Sequence, residues 1–294
     1  MREGGWGPAL LNKDDALTHT ILVTGANGQL AGAIIAAYRD RARVRAYSRE
    51  QLDIADYDAV KTRVDADRPA VIINCAAYNN VDGAEDDAET ALRVNAFGVR
   101  TLARAAADSG AGLVHYSTDF VFDGLASRPY IEADAPNPQS VYGQSKLLGE
   151  WFALEAPRAY VLRVESLFGG RAAKSSIDKI AQALKSRQPA RVFVDRVVTP
   201  SYVVDVAAAT QALVERGTPG LYHCVGTGHA TWYEVGEAIA DIVNGASRQF
   251  LAPVRVADVR LRAPRPQYAA LSNAKLSAVV QMPTWQDALR RYLA

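Results

Sequence analysis

An α/β fold on a doubly wound parallel sheet is predicted by three observations. Strand-like and helix-like segments alternate from Thr20 to Val164, which implies crossover connections between parallel neighbours. The stretch AVIINCAA (70–77) is apolar throughout and lacks the in-out alternation of a half-exposed strand. Strands covered by helices on both faces read this way. Finally, a glycine-bearing turn, Thr24-Gly25-Ala26-Asn27-Gly28-Gln29-Leu30-Ala31-Gly32, joins the first strand to the first helix.

Taken in order, Ile21 to Val23 is a short β-branched strand, followed by the turn and an alanine-rich helix. RVRAYS (43–48) reads as the second strand and Tyr57 to Asp67 as a helix. The buried third strand follows, and then a long helical pattern from Ala84 to Ser109. GLVHYS (112–117) is the next strand, and a Pro- and Asp-rich loop (123–139) leads into the helix that opens VYGQSKLLGE. AYVLRV (159–164) is a strand again. Beyond Val164 the rhythm weakens: a helix near Ile177 to Ser186, a strand at RVFVD, a helix from Val204 to Glu215, GLYHC, a helical segment from Thr231, the proline-rich APRPQY, and a last helix ending at Ala294. Three parts are expected. These are an N-terminal extension (1–19), a Rossmann-type NAD(P)-binding domain (20–165) and a smaller substrate-binding region (166–294), with segments of the last returning to the main sheet.

Composition excludes several classes of function. The chain has 33 basic and 32 acidic residues, a net charge of +1, so bulk charge recruits neither nucleic acid nor a membrane surface. No apolar run approaches the roughly 18 residues of a membrane span, and the first nineteen residues lack the apolar core of a signal peptide. A cytoplasmic protein is expected. Cys75 and Cys224 lie in strand-like apolar contexts and read as reduced core thiols. His19, His115, His223 and His229 are scattered and no Cys/His spacing resembles a zinc site, so no metal is expected.

The glycine turn stands where a dinucleotide site needs one, after a strand and before a helix. Gly25 permits the tight turn and Gly28 lets the backbone approach a pyrophosphate, with Asn27, Gln29 and Leu30 around it. The helix N-terminus then offers free N–H groups and a positive dipole. The second strand ends Ala46-Tyr47-Ser48-Arg49. An acid there would hold a ribose 2′-OH, whereas Ser48 and Arg49 suit a 2′-phosphate. NADPH is therefore favoured, with NADH as the alternative. In VYGQSKLLGE, Tyr142 and Lys146 are four residues apart and share a helix face. An ammonium beside a phenol favours the phenolate, which suits a proton-exchanging tyrosine.

Together, TGANGQLAG, NCAAYNNVDGAE, HYSTDFVFDG and YGQSKLLGE resemble the extended short-chain dehydrogenases/reductases, most closely the dTDP-4-dehydrorhamnose reductase family. The likeness runs from about Thr20 to the C-terminus. It implies a nucleotide-sugar substrate, NADPH-dependent reduction of a 4-keto-6-deoxyhexose at C4, and a possible homodimer. It implies Thr118, Tyr142 and Lys146 as the catalytic set, with Tyr142 and Lys146 also meeting the cofactor and Asn95 in support. Asp53 and Ile54 match adenine-side positions, and Ala76 and Ala77 the segment lining the cofactor. Thr118, Asp119 and Ser166 fall at substrate positions, and Arg265 resembles an arginine that meets the substrate's diphosphate.

The chain departs from that pattern around the sugar. Ser166 stands where the family has a tryptophan, Glu165 adds an acid, Gly83 replaces a usual lysine and Arg196 a usual glutamine. Two alternatives follow: a non-catalytic NADP-binding subunit resembling the regulatory beta subunit of methionine adenosyltransferase, or a nucleotide-sugar 4-epimerase. A dehydratase would carry an acid where this chain has Phe120.

Overall fold

The computed structural model describes residues 19–170 and 173–294; the extension expected over 1–19 lies outside them up to residue 18. Strands β1 (Thr20–Thr24), β2 (Arg43–Tyr47) and β3 (Val71–Asn74) alternate with helices α1 (Gln29–Tyr38) and α2 (Tyr57–Asp67). Between β3 and the next strand come α3 (Val81–Ala84), α4 (Ala88–Leu92), a π-helical turn (Arg93–Phe97) and α5 (Gly98–Ser109). The single helix expected from Ala84 to Ser109 is thus corrected. Asn80 accepts the Gly83 N–H at 3.0 Å and Asp87 accepts the Thr90 N–H at 3.0 Å. Such side chains start new helices instead of continuing old ones.

Strand β4 (Gly112–Thr118), helix α6 (Val141–Leu154) and strand β5 (Ala159–Val164) complete the regular part. Then follow β6 (Leu167–Phe168), α7 (Ser176–Lys185), β7 (Ala190–Phe193), β8 (Val197–Val198), β9 (Ser201–Tyr202), α8 (Val203–Arg216) and β10 (Gly220–His223). The chain closes with β11 (Ala230–Thr231), α9 (Trp232–Asn244), β12 (Leu251–Val254) and α10 (Trp285–Leu293).

The main sheet has the order β2-β1-β3-β4-β5-β10, with every pairing parallel. Val71, Ile72 and Ile73 are fully buried, as the unbroken apolar run requires. On one face Ile34 and Tyr38 of α1 pack with Val206 and Leu213 of α8. On the other, α2, α5 and α6 bring Val60, Leu102, Ala106 and Ala153. In α5 the buried Val99, Leu102, Ala103 and Ala106 recur at helical spacing. Each large side chain so buried stabilises the fold by about 1.5–3 kcal/mol.

A further cluster forms under α7, α9 and α10 from Ile177, Ile180, Leu184, Val235, Ile239, Trp285 and Leu289. Yet α8 and β10, from the same half of the chain, complete the main sheet: β10 pairs Gly220–His223 with Tyr160–Arg163. Among the described residues no helix is long and apolar enough to cross a membrane. The chain leaves β1 toward β2 on one side and reaches β3 on the other. This reversal opens a crevice at the carboxyl ends of the strands, where open α/β sheets bind ligands.

Candidate active site

Gly25 stands at the mouth of that crevice with φ +66°. A Cβ there would lie 2.7 Å from the backbone of Cys75 and Ala76, so the turn after β1 meets the end of β3 backbone against backbone. Only glycine permits both the conformation and the approach. The Gly28 N–H closes the turn on the Gly25 carbonyl at 2.8 Å. Gly28 also caps α1, with no side-chain cap and no acid in the first turn. The first N–H groups of α1 therefore remain open to an anion.

Two cavities run from this turn. One, of about 370 Å³, is lined by Gly25, Asn27, Arg49, Asp53 and Ile54. The other, of about 450 Å³, is lined by Gln29, Leu30, Thr118, Asp119, Tyr142, Lys146 and Ser166. They share Gly28, Cys75, Ala76, Ala77 and Asn79, so they form one trough bent over the glycine turn. A backbone cradle, an open helix N-terminus and two joined cavities fit a dinucleotide. Two expected cofactor residues stand back from the lining. The Ser48 hydroxyl donates to Glu50 at 2.5 Å, and Glu50 lines the cavity beside Arg49. Asn95, from the π-helical turn, accepts the Tyr78 N–H at 2.8 Å and donates to the Tyr78 carbonyl at 3.1 Å and the Ser145 hydroxyl at 3.0 Å. It ties the end of β3 to α6. Asp53 is paired with Arg93 at 2.7 Å.

Helix α6 begins at Ser140, whose hydroxyl accepts the Gly143 N–H at 3.1 Å. A side chain at Gly149 would strike the Asn95 carbonyl, so glycine lets the helix lie against the π-helical turn. Its far end is fixed by Glu150, which takes two bonds from the buried Arg163 of β5, at 2.8 and 2.7 Å. Tyr142 and Lys146 are both buried one turn apart. The Lys146 ammonium donates to the Tyr116 carbonyl at 2.6 Å. Burial brings its pKa down to about 8 against the opposing pull of Glu150. The expectation that Lys146 depresses the Tyr142 phenol is not met here. Burial first, and the Asp119 charge second, push the phenol up, while the Thr118 hydroxyl pulls it back.

At the end of β4, the Thr118 hydroxyl donates to Asp119 at 2.9 Å and accepts the Phe120 N–H at 3.3 Å. Asp119 is buried, which pushes its carboxyl up to about 6. Next to it a cavity of about 170 Å³ is lined by Asp119, Phe120, Ser166, Ser176, Arg196 and Trp232. Arg265 lines none of these three cavities. It pairs with Asp82 at 2.8 Å and donates to the Ala263 carbonyl at 2.9 Å. It does lie over the Phe120 ring, 5.8 Å from its centroid, as Arg196 does.

Sequence reading did not single out Asn74, Glu50, Tyr116 or Trp232. Asn74 had a signal, a polar residue ending an otherwise apolar strand: it accepts from the Thr24 hydroxyl at 2.7 Å and the Ala76 N–H at 3.1 Å. Tyr116 contributes a backbone carbonyl, which no side-chain pattern announces.

The family model described as the RmlD substrate binding domain matches residues 19–294. A dTDP-4-dehydrorhamnose reductase of Mycobacterium tuberculosis (strain ATCC 25618 / H37Rv) is 36% identical over 283 residues, 93% of this chain and 92% of the relative. A dTDP-4-keto-6-deoxy-D-glucose reductase of Streptomyces niveus is 36% identical over 263 residues, 87% of this chain and 90% of the relative. Among solved structures, a dTDP-4-dehydrorhamnose reductase from Bacillus anthracis in complex with NADP superposes with a TM-score of 0.88 at 31% identity, covering 94% of this chain and 99% of that one.

Proposed function

From the membership of this chain in the RmlD substrate-binding-domain family, we propose that it is an NADPH-dependent oxidoreductase acting on a nucleotide-linked 4-keto-6-deoxyhexose. Its reaction is reduction of the C4 ketone, with dTDP-4-dehydrorhamnose to dTDP-L-rhamnose, or a close analogue, as the substrate pair. One observation carries the reading. Thr118, Tyr142 and Lys146 line a single cavity that continues over Gly28 into a dinucleotide-shaped trough.

Bound NADPH supplies the hydride that C4 receives. As the ketone oxygen gains charge, Tyr142 gives it the phenolic proton. The raised phenol keeps that proton at neutral pH, and an alkoxide is basic enough to take it. Lys146, one helix turn from Tyr142, keeps a buried ammonium on the cavity wall, anchored on the Tyr116 carbonyl, where it would meet the nicotinamide ribose. Thr118, with its hydroxyl proton held on Asp119, presents its oxygen to the Tyr142 phenol and so orients it. The open N-terminus of α1 receives the pyrophosphate, and Arg49 the 2′-phosphate. Holding donor and ketone together in one cavity lowers the barrier by orientation and by preformed dipoles.

In this reading residues 20–165 bind the cofactor and 166–294 the sugar nucleotide, and the enzyme works in the cytoplasm. Phe97, Trp151 and Leu154 are exposed at 50, 60 and 43%. We assign this apolar surface to a homodimer contact, so Trp151→Glu should run as a monomer in sedimentation where the parent runs as a dimer. Equal masses for the two would remove the assignment.

The function is tested by NADPH oxidation with a panel of dTDP-, GDP- and UDP-linked 4-keto-6-deoxy sugars. Turnover with one member names the sugar. Tight NADP binding without turnover on any member points to the regulatory-subunit alternative. Cofactor that survives dialysis and cycles without net oxidation points to an epimerase.

A further inference from the structure

At the reaction cavity and its neighbour stand three ionisable groups that the reduction itself does not fully employ. Glu165 and Asp119 line the 450 Å³ cavity, and Arg196 lines the adjoining one, which shares Asp119, Phe120, Ser166 and Leu167 with it. Glu165 is only 2% exposed. Its Oε2 accepts the Thr199 N–H at 2.8 Å, while its Oε1 is buried without a partner. Asp119 repeats the arrangement: Oδ1 takes the Thr118 hydroxyl at 2.9 Å, and Oδ2 is buried without a partner. Two unpaired buried acceptors on two neighbouring acids are costly. One proton placed between them relieves both, because an O–H on one oxygen gives the other its donor.

The surroundings decide which acid carries that proton. Burial raises the Asp119 carboxyl to about 6, and the field of Arg196 and the Thr118 hydroxyl oppose that rise and keep Asp119 the more acidic of the two. Arg196 is fixed by its Nε, which donates to the Pro266 carbonyl at 3.2 Å. Glu165 is buried beside the Asp119 charge, and both effects favour its neutral form over the weaker pull of Thr199 and Arg196. The other titratable neighbours do not reverse this. Tyr268 is near enough for Glu165 to raise its phenol, Tyr142 is raised by Asp119, and Arg265 acts on Arg196. The backbone turns directly after Glu165 through Ser166 at φ +45°. That left-handed conformation costs a non-glycine residue about 1 kcal/mol or more, and such strain gathers where a site must be held in place.

We propose that Glu165 is a positioning residue for the reduction: as a neutral carboxylic acid it donates its O–H to Asp119 Oδ2, which fixes Asp119 as the anchor of the Thr118 hydroxyl and thereby sets the Thr118–Tyr142 pair. The assignment rests on the ketoreductase reading for its catalytic consequence but not for the hydrogen bond itself. Gln at 165 keeps a neutral donor, whereas Ala leaves Asp119 Oδ2 unpaired.

The test compares the parent, Glu165→Gln and Glu165→Ala as NADP-bound proteins, by infrared difference spectroscopy and by the pH profile of kcat. The parent should show a protonated-carboxyl carbonyl band at neutral pH that is absent from Glu165→Gln. Glu165→Gln should keep kcat within about 3-fold, and Glu165→Ala should lose about 10- to 100-fold with NADPH affinity unchanged. At alkaline pH the parent should lose activity in two steps, as Lys146 and Glu165 each give up a proton, and Glu165→Gln should keep only the Lys146 step. A band missing from the parent, a band that persists in Glu165→Gln, or equal losses in the two variants overturns the proposal. If none of the three proteins turns over any keto sugar, the ketoreductase reading falls, and the infrared band still decides the hydrogen bond.

Discussion

At the nucleotide end of the trough, the turn closed between Gly25 and Gly28 leads into the first turn of α1, which presents backbone N–H groups. At the end proposed for the sugar, Asp119, Glu165 and Arg196 bring ionisable side chains from three separate stretches of chain. The first end depends on a backbone path that a single methyl group would block. The second depends on which charges are buried together and where one proton resides. A substitution should therefore act through conformation at one end and through electrostatics at the other.

The largest effect is expected between the two ends. Tyr142→Phe removes the acid and nothing else, so kcat should fall by about 1000-fold, with the dissociation constant of NADPH, read by fluorescence titration, unchanged. Turnover at the parent rate would break the assignment of the acid. Gly25→Ala sharpens the contrast from the nucleotide side. Its Cβ would have to force apart the Cys75 and Ala76 backbone at φ +66°. We expect a loss of about 3 kcal/mol in urea unfolding and no measurable NADPH binding; an alanine variant that binds normally would show that the cradle is looser than drawn.

Asp119→Asn probes the electrostatic end. The carboxyl is raised to about 6 from its ordinary value of 3.8, so its favourable, protonated contribution is complete below the lower value and gone above the upper one. At pH 8 the buried charge is a cost that asparagine does not carry. The variant should gain about 2–3 kcal/mol over the parent at pH 8, fading toward zero at pH 3.5. A gain that does not vary with pH would point to packing instead of charge. The smallest effect belongs to Arg49→Ala, which should weaken NADPH about 10-fold and leave NADH untouched. Parallel losses for both cofactors would mean that Arg49 supports the loop and does not read the 2′-phosphate.

The same contrast explains what could be read from the sequence. The glycine turn is local: strand, turn and helix lie within twenty residues, and their chemistry follows from spacing. The apolar run of β3 announced a strand buried on both faces, and the structure buries it fully. Tyr142 and Lys146 were legible for the same reason, one helix face being a local property. The sugar end was not. Glu165 meets the Thr199 N–H across 34 residues, and Arg265 meets Asp82 across 183. Pairings at such separations are set by how whole elements pack, and no local pattern encodes them. The long helix anticipated from Ala84 failed for an intermediate reason. Its apolar period was genuine, but Asn80 and Asp87 compete with it locally, and the π-helical turn at Asn95 follows from contacts with Tyr78 and Ser145.

Strand β10 has a consequence for biosynthesis. The main sheet draws its edge strand from Gly220–His223 and part of its cover from α8. A nascent chain that has passed only Val164 holds five strands in order and an open edge on β5. Exposed edges of that kind recruit strands from other chains, and pairings between distant segments form late. Residues 20–164 therefore cannot complete their sheet on the ribosome before β10 has been made. The 55 residues between Val164 and Gly220 set the interval during which a chaperone has something to protect.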